Sequence, residues 1–231
     1  MGYIDDLRTG FGMLLHPSGS SKVNFSSRRA LLFYYELTIL PLILFAMFAI
    51  IVADFGPQSG FGASYTLSNI FEAQILYPPG SIPMILSLFG SLAAANITQN
   101  GISVLGLLIS VLLTFLVLVP LGLIFEAFVY HLIGKKFLNI WSGSYSKTLS
   151  SVILGSMPVI LFFWLAPIPL FGILAALVLR TWSIVSLTIS ISVQQSVERL
   201  KSLFVILIEL LPLFGIFYFV LLFELGMYST F

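Results

Sequence analysis

Glu36, Glu126, Arg180 and Glu209 stand inside apolar stretches of this 231-residue chain. Arg180 is the most exposed to cost, near the centre of "FGILAALVLRTWSIVSLTIS" (171–190) with no other charge within nine residues on either side. A guanidinium does not deprotonate in proteins, and an unpaired charge at mid-bilayer costs at least about 2.5–3.5 kcal/mol. Three acids and one base can serve two chemistries. They can neutralise one another in a buried ion cluster, with Arg180 gripping Glu126 bidentately by preference and Glu209 as the second choice. Alternatively they can line a wet path for an ion or a proton. Ser183, Ser186, Ser190 and Gln194 fall within about 120° of Arg180 on a helical wheel and suit either reading. Their hydroxyls and amide would glue helices together, or would form one wall of an inward-opening hydrated half-cavity.

Catalytic chemistry finds few parts. Cysteine is absent, which excludes disulfides, thiolate metal sites and cysteine nucleophiles. The only histidines are His16 and His131, and the only aspartates, Asp5, Asp6 and Asp54, lie outside the apolar stretches. No zinc-protease, nucleophile-elbow, phosphate-loop or dinucleotide pattern occurs. The reading is therefore non-enzymatic, with no catalytic residue, metal or cofactor. His131, beside Lys135, reads as an interfacial anchor, and Tyr34, Tyr35, Trp141 and Trp164 read as aromatic-belt residues.

The elements that must position these charges follow from composition. The chain is 59% hydrophobic and 8% charged, against about 25% charged in soluble domains, so the bilayer must be its solvent. Five stretches are long enough to cross about 30 Å of hydrocarbon, at roughly 30–53, 102–134, 149–166, 168–193 and 202–226. A sixth, 81–95, has only about 15 residues and suits an interfacial or re-entrant helix. The N-terminus has no signal-peptide core, so the first span acts as the targeting signal.

Basic residues choose the topology. Arg8, Lys22, Arg28 and Arg29 precede the first span, Lys135, Lys136 and Lys147 follow the second, and Arg199 and Lys201 follow the fourth. The loop 54–101 has no basic residue. Five spans with the N-terminus inside and the C-terminus outside place nine of the ten basic residues on one side, all but Arg180. Counting along the helices puts all three glutamates roughly 9–12 Å below the inner interface on three different helices, with Arg180 about one turn deeper. The domain plan is thus a short inner segment, 1–29, and a five-span domain, 30–231, with an outer loop at 54–101. That loop carries the sequon Asn96-Ile-Thr98, read as an unused match. Leu7, Phe11, Leu14 and Leu15 have helical spacing and point to an amphipathic helix lying on the membrane, weakened by Gly10 and Gly12. Pro41, Pro120, Pro158 and Pro212 interrupt spans and free the carbonyls of Leu37, Leu116, Leu154 and Ile208. No internal repeat supports an inverted-repeat transporter.

From about residue 13 to 212 the layout resembles the Yip family of Ypt/Rab-interacting integral membrane proteins. The stretches that carry the likeness, in order, are "MLLHPSGSSKVNF", "FEAFVYHLIGKKF", "YSKTLSSVILGSMPVIL" and "LFGILAALVLRTWSIVSLTISISVQQSVERLKSLFVILIELLP". The resemblance implies a non-enzymatic five-span protein of membrane trafficking or shaping, whose eukaryotic relatives bind prenylated small GTPases. The chain departs from those relatives in having only about 29 residues before the first span and no Asp-Leu-Tyr-Gly-Pro-like signature, which fits a minimal prokaryotic or archaeal member. The location implied is the cell membrane in a prokaryote, or ER and Golgi membranes in a eukaryote. The function expected is a membrane scaffold or organiser whose inner residues Arg28, Arg29, Lys135 and Lys136 meet anionic lipids, each worth about 1 kcal/mol. Other partners implied are the lipid bilayer, a small GTPase or other membrane protein, and further copies of the chain, with no nucleic acid. The alternative is a small channel or transporter using Glu126, Arg180 and Glu209.

Overall fold

The computed structural model describes residues 3–22, 25–55, 112–165 and 171–209. Among them every regular element is helical. Helix α1 (Tyr3–Leu15) leads through a 3₁₀ segment, Pro17–Lys22, into α2 (Ser27–Phe55). Helix α3 (Val119–His131) is prolonged at both ends by π-helical segments, Thr114–Leu118 and Leu132–Phe137. Helices α4 (Tyr145–Gly155) and α5 (Met157–Phe162) run on through a short 3₁₀ turn, Phe163–Leu165. Helix α6 (Phe171–Gln195) and a last helix, α7 (199–209), follow.

Three of these stretches are long and apolar enough to cross a membrane: Ser27–Met47, Thr114–Phe137 and Tyr145–Leu165. The third begins four residues before the span read from sequence. Its polar opening, "YSKTLSS", is helical because the hydroxyls have partners. Ser150 and Ser151 donate back to the carbonyls of Ser146 and Lys147, and Ser146 and Ser150 donate to Phe25 on the approach to α2. The outer loop with its 81–95 helix and Asn96, the first turns of the second span, and the fifth span beyond residue 209, including Pro212, lie outside the described residues.

Outward faces are apolar at helical spacing: Ile39, Ile43 and Met47 on α2, Leu121, Phe125 and Phe128 on α3, Val178, Trp182 and Val185 on α6. Lipid-facing helices require this inverted pattern. The stretch formed by α4 and α5 is the central one, with 83% of its apolar window buried against 39% for each of the other two. Its neighbour α6 runs antiparallel to it in a single register. Thr148 meets Gln195, Ser151 meets the Ser190 carbonyl at 3.3 Å, and Gly155 meets Leu187. Small residues at this spacing let two backbones approach closely, which replaces the missing hydrophobic drive between helices in lipid. A β-carbon at Gly155 would lie 2.5 Å from the Leu187 Cα.

The sequence readings of α1 and of the aromatic belt are both sharpened here. Helix α1 forms, and one side of it packs against the bundle while Phe11 and Leu15 stay exposed. Gly10 admits the Leu37 side chain, whose Cδ1 is 3.0 Å from where a β-carbon would stand, and Met13 is buried. Phe11 sits edge-on to Phe162 at 6.4 Å. The glycine that lowers helix propensity thus makes the docking possible. Tyr34 and Trp141 are also not belt residues, since both are buried. The Trp141 indole covers Gly134, where any β-carbon would overlap the ring. The chain turns back for this contact at Asn139, with φ 51°, a left-handed conformation that asparagine tolerates.

The α4–α6 register yields a stability test. Gly155→Ala should destabilise by about 1–3 kcal/mol, because the neighbouring atom is backbone and cannot turn aside. Gly12→Ala, with nothing within 4 Å, should be neutral or slightly stabilising. Denaturant unfolding in detergent micelles, followed by circular dichroism, measures both.

Candidate functional site: the buried polar core

Two polar layers cross the bundle. The shallower one ties α3, α4 and α6 together at the end where the basic residues gather. His131 Nδ1 lies 3.0 Å from the Thr148 hydroxyl, which accepts from Gln195 Nε2 at 2.9 Å. Lys135 donates to the Gly143 carbonyl at 3.3 Å, and the His131 ring stands edge-on to Tyr145. Tyr145 in turn donates to the Ile124 carbonyl at 2.8 Å. At the end of α6, Ser196 takes φ 56°, and the Val197 N–H reaches the Ser192 carbonyl at 2.9 Å while the Ser192 hydroxyl donates to the Val197 carbonyl. This is a Schellman-type cap with serine in the place glycine usually holds. These contacts hold Phe25, His131, Gly143, Thr148 and Val197 at one end of the molecule. Arg28, Lys135, Lys136, Arg199 and Lys201 are exposed there.

The deeper layer contains the charges. Glu126 is fully buried on α3, Glu209 is 3% exposed on α7, and Arg180 is half-buried on α6. The guanidinium acts electrostatically on Glu126 first, then on Tyr130 and Glu209. Glu126 and Glu209 also act on each other. The structure therefore brings together the preferred and second partners of Arg180, from three helices. Neither Glu126 oxygen accepts a hydrogen bond, so the expected bidentate grip on that residue is not formed. The guanidinium instead acts at a distance on two carboxyl groups and a phenol.

Tyr130 belongs to this layer and was missed in the sequence. It follows Glu126 by four residues, the spacing that stacks two side chains on one helix face, and this was the available signal. Its hydroxyl interacts with the Glu126 carboxyl yet lies outside good hydrogen-bond geometry. Ser183 and Ser186 are buried, and their hydroxyls have no partner. Thr38, Ser150, Ser151, Ser156 and Thr188, in contrast, all fold back onto the carbonyl one turn earlier. Ser190 and Gln194 are buried on the same face of α6, and Ser190 lends its carbonyl to α4.

Glu36 does not join this layer, contrary to the sequence reading. Arg29 Nη1 reaches back two turns to its oxygens at 3.1 and 3.3 Å, and the two side chains are 33% and 27% exposed. The guanidinium also lies 5.8 Å from the Phe25 ring centroid. Glu36 is therefore neutralised on its own helix, and Arg29 is engaged by it. Among the described residues no group of three His, Cys, Asp or Glu side chains could hold a metal ion.

Comparison of the chain with protein-family models, characterised proteins and solved structures gave no match.

Because the Arg180 guanidinium acts on carboxyl groups of two other helices, Arg180→Leu should destabilise the bundle by about 1–3 kcal/mol, the loss of a charged partner to buried polar groups. Adding Glu126→Leu to it should recover part of that loss. A double-mutant cycle in micelles measures the coupling, and strictly additive effects would show that the two groups do not interact.

Proposed function

We propose that the chain is a non-enzymatic five-span membrane protein, N-terminus inside and C-terminus outside, acting as a scaffold or organiser as its resemblance to the Yip family implies. The observation that carries this reading is the division of the surface. Exposed basic residues gather at the end pinned by the His131–Thr148–Gln195 chain, while the helix flanks are apolar. A bundle so built presents one cationic face to anionic lipid heads and to proteins held at the inner leaflet, where basic residues are favoured. The partners that fit are anionic lipids, a small GTPase or another membrane protein, and a second copy of the chain. Of the four inner residues, Arg28, Lys135 and Lys136 are exposed toward such contacts, Lys135 beside its bond to the Gly143 carbonyl, whereas Arg29 serves Glu36.

A second reading, a small channel or transporter, is favoured by one observation. The Glu126 oxygens and the Tyr130, Ser183 and Ser186 hydroxyls are buried without hydrogen-bond partners, polar capacity that water would satisfy if the bundle opened.

Reconstitution separates the two. Purified protein in liposomes should show no ion or proton flux above empty vesicles. Cross-linking in native membranes should capture the same partner with wild type and Leu121→Ala, and lose it with Lys135→Glu/Lys136→Glu. Flux that disappears in both Glu126→Gln and Arg180→Leu would overturn the scaffold reading in favour of the pathway.

A further inference from the structure

An apolar groove of about 420 Å³ opens between the turn that follows α3 and one face of α7. Leu138 and Ile140 form one wall, and Leu203, Phe204 and Leu207 form the other. The volume falls in the range of about 300–1,000 Å³ typical of small-ligand sites. Its long side chains are far from hidden: Phe204 is 55% and Leu207 48% exposed. A single charged residue, Lys201, lines the same groove. Lys201 sits in the first turn of α7, so its ammonium and the positive end of the helix dipole coincide. Exposed Arg199 is next to this turn, and exposed Lys135 and Lys136 precede the opposite wall.

We infer that this groove is a binding site for one anionic phospholipid, its acyl chain between Ile140 and Phe204 and its phosphate at Lys201. The argument is one of charge and shape together. An acyl chain passing from bilayer to groove exchanges one apolar surrounding for another, so apolar walls by themselves select no lipid. The cationic end does select: each basic residue near the headgroup favours an anionic lipid about fivefold. Lys201 is available for this. Its contact with Glu198, at 3.6 Å between two side chains more than half exposed, is a surface pair too weak to hold it from a phosphate.

The inference rests on the membrane placement proposed above only for the choice of leaflet, and the test reads headgroup preference whichever way the protein inserts. Phe204→Trp adds a reporter inside the groove, and Ile43→Trp adds one on the plain lipid-facing side of α2. Each is reconstituted in phosphatidylcholine vesicles containing equal fractions of brominated-chain phosphatidylglycerol or brominated-chain phosphatidylcholine, and quenching is read as the difference from wild type. Phosphatidylglycerol should quench the Phe204→Trp signal with about fivefold preference or more, and Ile43→Trp should show none. Adding Lys201→Gln should bring the groove reporter close to parity. If Phe204→Trp does not fold, Leu207→Trp takes its place. Equal quenching by the two lipids at the groove, the same preference at Ile43, or no quenching because protein fills the groove would each overturn the inference.

Discussion

Hydrocarbon offers no hydrogen bonds, so a carbonyl released inside an apolar bundle needs a donor from elsewhere in the protein. Pro120 shows how strongly this shapes the structure. Its ring removes one helical hydrogen bond and crowds the carbonyl of Leu116. The helix answers by widening into the π-helical segment Thr114–Leu118 just before it. Neighbouring α2 then supplies two phenols, Tyr34 to the Phe115 carbonyl at 2.7 Å and Tyr35 to the Leu116 carbonyl at 3.1 Å. One proline thus fixes a π turn, the burial of Tyr34 and the contact between α2 and α3. The same contact positions Phe115 for its stack with Phe163, ring centroids 4.0 Å apart, so α5 joins the same junction.

Patterns confined to one helix were the legible part of this fold. Apolar length gave the three described spans, and the Leu116 carbonyl could be named as orphaned because a proline acts at a fixed offset. The exposed and buried faces of α6 follow the wheel drawn from Arg180 through Ser183 and Ser190. What could not be read was which helix answers. Tyr34 and Tyr35 carry the composition of belt residues, and only their distance from Phe115, some eighty positions on, makes them donors. Trp141 is buried because Gly134 gives it a flat surface, a relation set by the turn at Asn139. Glu36 was misassigned for a related reason: an arginine seven residues away has the reach to neutralise it, and depth counting ignores such reach.

Glycine carried opposite meanings at two places. In α1, Gly10 and Gly12 both lower helix propensity, yet only Gly10 has a neighbour, the Leu37 side chain. Propensity is a weak prior that packing overrides where a close approach is gained. In α4, Gly155 is the last member of a series, Thr148, Ser151 and Gly155, that faces α6 throughout. Along this seam side-chain size falls as the contact passes from hydrogen bonding at Gln195 to bare backbone at Leu187. A polar anchor at one end and a close backbone approach at the other fix sliding and separation together.

That seam changes the meaning of Arg180. A permanent cation in an apolar helix invites the view that it bolts the bundle shut, but α4 and α6 are already in register without it. Its electrostatic partners are instead on α3 and α7, through Glu126 and Glu209. Helix α7 has few other polar ties to those elements among the described residues, and its buried side chains, Val205 and Ile206, grip without specifying register. Apolar contact in lipid leaves a helix free to slide, whereas one shared charge does not. Arg180 therefore acts where the α4–α6 seam cannot, setting the height and rotation at which the last helix meets the rest.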